Sequence, residues 1–292
     1  MIFEEFLHVL VHSLEDSALV LPFLFATYVL IEYVQRKSAV FKNTNFLGGT
    51  HAPLLGGIVG AFPQCGFSVM AAKLYDSKII KMGTLLTVFI ATSDEAFALL
   101  LTSAKFLDLL LLISFKIIYA VILGYLVNAF LKKAVPVKYK GGQTKFKHEE
   151  YCRQCGNSST ATGKAQIYLL YPFLHALKTF LFVLSINFIF GLFVHFVGEE
   201  NISLFMQQHL FVQPFVCAIV GLIPNCASSI LVTQLYISGG ITFGSMFAGL
   251  CSNAGIGLAV VLKNKKNIKS NVVLVLILYL SSVLAGVIFN LF

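Results

Sequence analysis

Charge is what this sequence has least of. Asp, Glu, Lys and Arg make up 12% of its 292 residues, while 58% are hydrophobic. Soluble domains carry roughly a quarter charged residues, and so few polar side chains cannot cover a water-facing surface. The shortage excludes a soluble enzyme, a disordered tail and a secreted disulfide scaffold. Alternation of polar and apolar residues is also missing. The strands of an outer-membrane barrel alternate, whereas these runs are apolar throughout, which argues against a barrel. The start of the chain lacks a basic n-region followed by a clean apolar stretch. Glu4, Glu5, His8, Glu15 and Asp16 stand there instead, so no cleavable signal peptide is expected. The six cysteines show no disulfide framework. Cys65, Cys217, Cys226 and Cys251 lie in apolar segments, and Cys152 and Cys155 in a basic loop. The thiols of a cytoplasmic loop stay reduced.

What remains is a series of long apolar runs. A spanning helix needs about 20 such residues, so the length holds roughly eight to ten membrane segments. The runs are 17–34, 52–75, 82–104, 106–131, 166–197, 210–237, 241–262 and 271–292. Pro63 interrupts the second and Pro224 the sixth, because proline removes a backbone donor and breaks a helix. Net charge is +8. Residues 132–164 hold eight Lys or Arg against Glu149 and Glu150, so +6 of the +8 sits in one loop. In a membrane protein such a loop marks the cytoplasmic side, and no nucleic-acid partner is expected.

The chain repeats itself. At a shift of 161, residues 60–83 match 221–244 at nine of 24 positions, including Gly60/Gly221, Pro63/Pro224, Cys65/Cys226, Leu74/Leu235, Tyr75/Tyr236 and Gly83/Gly244. Ser93-Asp94-Glu95-Ala96 also resembles Ser252-Asn253-Ala254-Gly255 after a two-residue gap. Lys73, Lys78 and Lys81 surround the first Leu-Tyr turn, whereas the matching turn from Leu235 to Ile241 has no Lys or Arg. The opposite ends agree, with Lys263, Lys265, Lys266 and Lys269 against Lys105 and Asp108. By the positive-inside rule the same turn faces the cytoplasm in one half and the outside in the other. The expected fold is all-α and polytopic, an inverted-topology repeat of five membrane segments per half with broken or re-entrant helices. Residues 1–133 form one repeat, 134–165 the basic cytoplasmic loop and 166–292 the second repeat. Both termini are expected outside a plasma or inner membrane. Inverted repeats with interrupted helices are a transporter architecture.

Candidate chemistry lies inside these runs. Asp94 and Glu95 interrupt an apolar stretch, where a carboxylate costs about 2.5–3.5 kcal/mol on insertion scales. They read as a cation or proton site, or else as a pair neutralised by a lysine such as Lys116 or as carboxylates sitting in the mouth of a broken helix. Pro63-Gln64-Cys65-Gly66 and Pro224-Asn225-Cys226-Ala227 should unwind their helices and free backbone carbonyls. With Gln64, Cys65, Asn225 and Cys226 these can replace a cation's hydration shell, or they are hairpin tips with small buried thiols. Ser93, Ser252 and Asn253 flank the site, and Cys251 offers a further thiol or simple packing. His148, Cys152 and Cys155 make His-x3-Cys-x2-Cys, three ligands suited to zinc without an evident fourth. His12 and Asp16, four apart at one end of the first span, are a candidate mouth site, while His8, Glu15 and Glu32 read equally well as interfacial residues.

Gly60-Ala61-Phe62-Pro63-Gln64-Cys65-Gly66-Phe67-Ser68, then Gly83-Thr84-Leu85 and Ala91-Thr92-Ser93-Asp94-Glu95-Ala96, resembles the family of ten-span heavy-metal exporters. Its members are also called arsenic efflux proteins or manganese transporters. Pro22-Phe23-Leu24-Phe25 with Tyr28 and Glu32 fits the family's first span. The resemblance implies a plasma-membrane permease for a metal or metalloid. The more distant organoarsenical permeases carry Pro-x-Cys-x-Cys, and here Phe67 stands where the second thiol would be.

The expected function is transport of a metal cation, outward, by alternating access, with no enzymatic activity. Asp94 and Glu95 supply charge, and Cys65 and Cys226 coordinate. Paired carboxylates with carbonyls suit a hard ion such as manganese. One alternative is a metalloid or organic-anion permease whose carboxylates carry protons. Another is an intramembrane thiol oxidoreductase using Cys65 and Cys226. No tightly bound cofactor is expected beyond the transported ion and zinc in the loop. The expected partners are the lipid bilayer, the substrate and, as a candidate, a second copy of the chain.

Overall fold

The computed structural model describes residues 51–62, 65–92, 94–103, 105–131, 196–225, 227–263 and 268–291, with scattered positions between 25 and 49 and between 173 and 192. No strand occurs among the described residues. Helix is the form in which an open segment satisfies its own backbone in hydrocarbon. The first half contributes α1 (Ala52–Gly60), α2 (Cys65–Asp76), α3 (Met82–Ala91), α4 (Asp94–Thr102) and α5 (Phe106–Phe130). The second contributes α6 (Glu199–Gln208), α7 (Gln213–Gly221), α8 (Ala227–Ile237), α9 (Phe243–Ser252), α10 (Ile256–Lys263) and α11 (Ile268–Leu291). Apart from α6, which the sequence reading left as a connection, each helix of the second set matches one of the first at an offset of 161 or 162 at both ends.

Local chemistry explains the ends. Pro53 and Pro214 open α1 and α7, where a missing N–H costs nothing. Both helices stop shortly before the prolines expected to break them. The runs 82–104 and 241–262, read from sequence as continuous, are each broken as well. Thr92 turns to extended backbone after α3 (ψ 132°). Asn253 leaves helix after α9 (ψ 97°), and Gly255 adopts a φ of +53°. The Asn253 Oδ1 accepts from the Gly255 N–H at 2.8 Å, a local bond that competes with the helix ladder. Because Ala91 stands opposite Ser252 at an offset of 161 and the next helices begin at Asp94 and Ile256, an offset of 162, Thr92 is the counterpart of Asn253 and a one-residue shift replaces the two-residue gap.

Within each half three helices pack together, α1 with α3 and α5, and α7 with α9 and α11. The halves interlock through their short helices, α2 against α10 and α8 against α4. Small residues set the closest approach, as they do between membrane helices generally. A Cβ on Gly83 would run into the Gly124 carbonyl and the Asn128 side chain; one on Gly244 would meet the Gly286 carbonyl and Asn290. Asn128 Oδ1 also accepts from the Gly83 N–H at 3.0 Å. Every residue of α3 is buried. The long helices lie outside and expose apolar stripes four residues apart, Val272, Leu276, Leu280, Leu284 and Ile288 on α11. Four helical stretches among the described residues are long and apolar enough to cross a membrane: Met82–Thr102, Phe106–Phe130, Phe243–Lys263 and Ile268–Leu291.

The repeated Leu-Tyr has a structural role in each half. Tyr75 pairs its hydroxyl with Ser270 Oγ at 2.7 Å, and Tyr236 donates to Asp108 Oδ2 at 2.8 Å. Each tyrosine therefore reaches the start of the other half's long helix. Helix α5 begins beside Tyr236 and ends beside Gly83, while α11 begins beside Tyr75 and ends beside Gly244. The two long helices run in opposite directions. At 1.5 Å per residue α5 separates its ends by about 37 Å. Phe25 meets Phe173 edge to face, with ring centroids 6.0 Å apart.

The glycine contacts yield a stability test. Gly83→Leu and Gly244→Leu should each lower the melting temperature of the detergent-purified protein, since forcing bulk into a packed site costs about 1–3 kcal/mol or more. Wild-type melting in both variants would mean that the helices do not approach this closely.

Candidate functional site

The helix breaks bring several backbone ends to the middle of the structure. Lys116 marks the place. It lies two residues from the centre of α5 and is wholly buried. Its Nζ donates to the Thr92 carbonyl at 2.5 Å and to the Leu250 carbonyl at 2.9 Å. Thr92 is the C-cap of α3, and Leu250 lies in the last turn of α9. Carbonyls at a helix C-terminus lack intrahelical donors and carry partial negative charge. One ammonium thus serves a helix end from each half. An uncompensated charge here would be prohibitively costly, and these partners make its burial tolerable. From sequence Lys116 is a candidate neutraliser for Asp94 and Glu95, whose side chains lie outside the described residues. The structure places its ammonium on carbonyls, one of them two residues before Asp94.

Helix starts gather nearby. A Cβ on Gly257 would press on the backbone of Ser68, so the first turns of α10 and α2 lie side by side. Asp94 and Glu95 are the first two residues of α4, and Cys65 is the first of α2. The side chains of Asp94, Glu95 and Cys65 lie outside the described residues, as do Gln64, Ser93, Cys226, His148, Cys152 and Cys155 entirely, and the mouth residues His8, His12, Glu15, Asp16 and Glu32. Among the described residues no three of His, Cys, Asp and Glu gather into a metal-binding group.

Three predicted site residues, Asn225 among the coordinating set and Ser252 and Asn253 among the flanking one, are described in full. Ser252 is wholly buried and donates to the Gly249 carbonyl at 2.9 Å. Asn253 holds the α9–α10 break as given above. Asn225 is wholly buried at the α7–α8 break. Its Oδ1 accepts from the Ser228 N–H at 3.1 Å, which satisfies one of the orphan donors at the start of α8. Its Nδ2 has no hydrogen-bond partner among the described residues. In this conformation Asn225 therefore presents a donor to any ligand at the break, while its oxygen is engaged. Cys217 and Cys251 are free, buried thiols in the apolar core. The elements that sequence reasoning missed are the Thr92 and Leu250 carbonyls. A backbone carbonyl has no side-chain signature, and only a lone lysine in an apolar helix pointed to them.

Capping by Asn225 is testable. Asn225→Ala should destabilise the protein by about 1 kcal/mol, the usual cost of losing an N-cap, whereas Asn225→Asp, which keeps an acceptor for the Ser228 N–H, should melt closer to wild type. Equal melting of the alanine variant and wild type would remove the capping role.

No curated protein and no solved structure matches the chain. A family model does match, over residues 5–176 and 176–292, and so covers almost all of it. Its helices, its apolar lipid-length spans and its interrupted interior agree with that match. The chain belongs to the membrane transporter family described as "Putative, 10TM heavy-metal exporter".

Proposed function

We propose that the protein is an efflux permease of the plasma membrane that moves a metal cation by alternating access between two inverted halves, residues 1–133 and 166–292, with both termini outside. One observation carries this reading. Interrupted helices from both halves end together inside the structure, at Lys116, and the acidic pair Asp94–Glu95 opens the helix that follows one of those ends. Broken helices at the middle of a membrane protein supply carbonyls and helix ends to ions. Asp94 and Glu95 would provide charge to the cation. Gln64, Cys65, Asn225 and Cys226 would line the two proline breaks, with Ser93, Ser252 and Asn253 beside them. Oxygen-rich ligands with paired carboxylates suit a hard divalent ion such as manganese. His148, Cys152 and Cys155 lie in the basic loop, outside both repeats, and would bind or deliver a soft metal there.

A second reading, a permease for a metalloid or organic anion, gains support from the Asn225 Nδ2 donor and from the adjacent starts of α2 and α10. Helix N-termini favour an anionic group. The carboxylates would then carry protons.

The two readings separate in proteoliposomes. Asp94→Asn and Glu95→Gln should abolish manganese flux while leaving the protein in the membrane, because a neutral amide lowers the cost of burial but removes the charge a divalent ion needs. Cys65→Ser should be mild for manganese, since a hydroxyl still offers oxygen, and severe for arsenite. Wild-type manganese flux in both acidic variants would refute a charge role for the pair.

A further inference from the structure

Lys116 marks where the helix ends meet, but the transport reading gives its ammonium no role of its own. Its ammonium is wholly buried and bonded to two backbone carbonyls 158 residues apart in sequence, one at the end of α3 and one at the end of α9. Backbone carbonyls do not choose lysine by shape. They accept from any compact cation that fits between them, and two helix C-termini add negative potential to the same spot. Such ends hold monovalent ions in transporters with interrupted helices.

The repeat supplies an internal comparison. Asp108 and Ser270, Gly124 and Gly286, and Asn128 and Asn290 occupy equivalent contacts at an offset of 162. The same offset pairs Lys116 with Leu278, which is also wholly buried. This layer of the fold therefore packs around an apolar side chain in one half and an ammonium in the other. Filling the space does not require the charge; bonding Thr92 and Leu250 does.

We propose that the facing ends of α3 and α9 form a monovalent-cation site, and that Lys116 is its tethered occupant, clasping the two halves in the conformation described. Because the ammonium is attached to α5, the site stays filled without an ion from solution. Wild-type stability and flux should then be indifferent to the identity of the monovalent cation present. The proposal rests on the transport reading only for the consequence for flux; the site itself does not depend on what is carried.

The test uses full-length Lys116→Ala, which empties the site and leaves room, and Lys116→Met, which fills the room without charge as Leu278 does. Melting temperature is measured in choline, ammonium and methylammonium chloride at matched ionic strength. The alanine variant should melt below wild type in choline and recover saturably with ammonium or methylammonium, because a ligand that binds only the folded state stabilises it by mass action. Wild type and Lys116→Met should show no such recovery. Manganese flux by the alanine variant in proteoliposomes should be lost in choline and restored by the same cation over the same concentration range. A folded alanine variant whose melting responds no more to ammonium or methylammonium than to choline would overturn the site. Wild-type flux through Lys116→Met would overturn the clasp, since no ammonium would then be needed. Cation-dependent melting with no manganese flux even in wild type would leave the site standing and count against the transport reading instead.

Discussion

Every helix that stops inside a bilayer leaves carbonyls or N–H groups with no water to receive them, and this protein stops its helices there repeatedly. That constraint organises the structure. Several of these orphan ends are answered by a nearby group among the described residues. Lys116 takes the ends of α3 and α9, Asn225 caps α8, and Asn253 bridges the last break. Long apolar helices then shield the interior, with α5 and α11 turning their leucine and isoleucine stripes outward. The arrangement costs stability that a plain bundle would keep. Interruption of this kind is useful where backbone must reach a ligand, and non-helical backbone at membrane depth is tolerated only when protein encloses it or it lines a cavity.

The two halves share a backbone and differ in chemistry. The glycine crossings, the opening prolines and the tyrosine bonds to the opposite long helix recur in both. Charge does not recur. Lys116 is matched by Leu278 and Asp108 by Ser270. The second half instead carries a neutral polar network at the start of α9, where Gln213 Oε1 accepts from the Thr242 N–H at 3.1 Å and from Ser245 Oγ at 3.0 Å. Ala52 stands at the position of Gln213 in the first half. A scaffold doubled in geometry but single in charge offers one ionic locus between two similar frames.

Much of this was legible in the residues. Apolar run length gave the helical membrane class, and the 161-residue shift gave the paired helices. Pro63 and Pro224 located two breaks by removing donors. No proline marks the other two breaks, and a broken helix entered the reading only as one alternative for Asp94 and Glu95. Thr92-Ser93-Asp94 and Asn253-Ala254-Gly255 sit inside runs apolar enough to read as continuous, and only their capping-type side chains hint at an end. Helix α6 was missed because its mixed composition resembles a loop. The clasp was illegible for a deeper reason: a lysine announces that it needs a partner, but nothing in a sequence says that the partner is the carbonyl of a leucine 134 residues away.

The account depends above all on the halves lying upside down relative to one another. Ser77 and Ser238 are equivalent positions in the two Leu-Tyr turns, and both are exposed. Ser77→Cys and Ser238→Cys, each labelled in intact cells with a membrane-impermeant maleimide and compared with the parent protein, read the side of each turn directly. The positive-inside rule applied to Lys73, Lys78 and Lys81 predicts a cytoplasmic first turn, so Ser238→Cys should label and Ser77→Cys should label only after the membrane is opened. Equal labelling of both in intact cells would contradict the account.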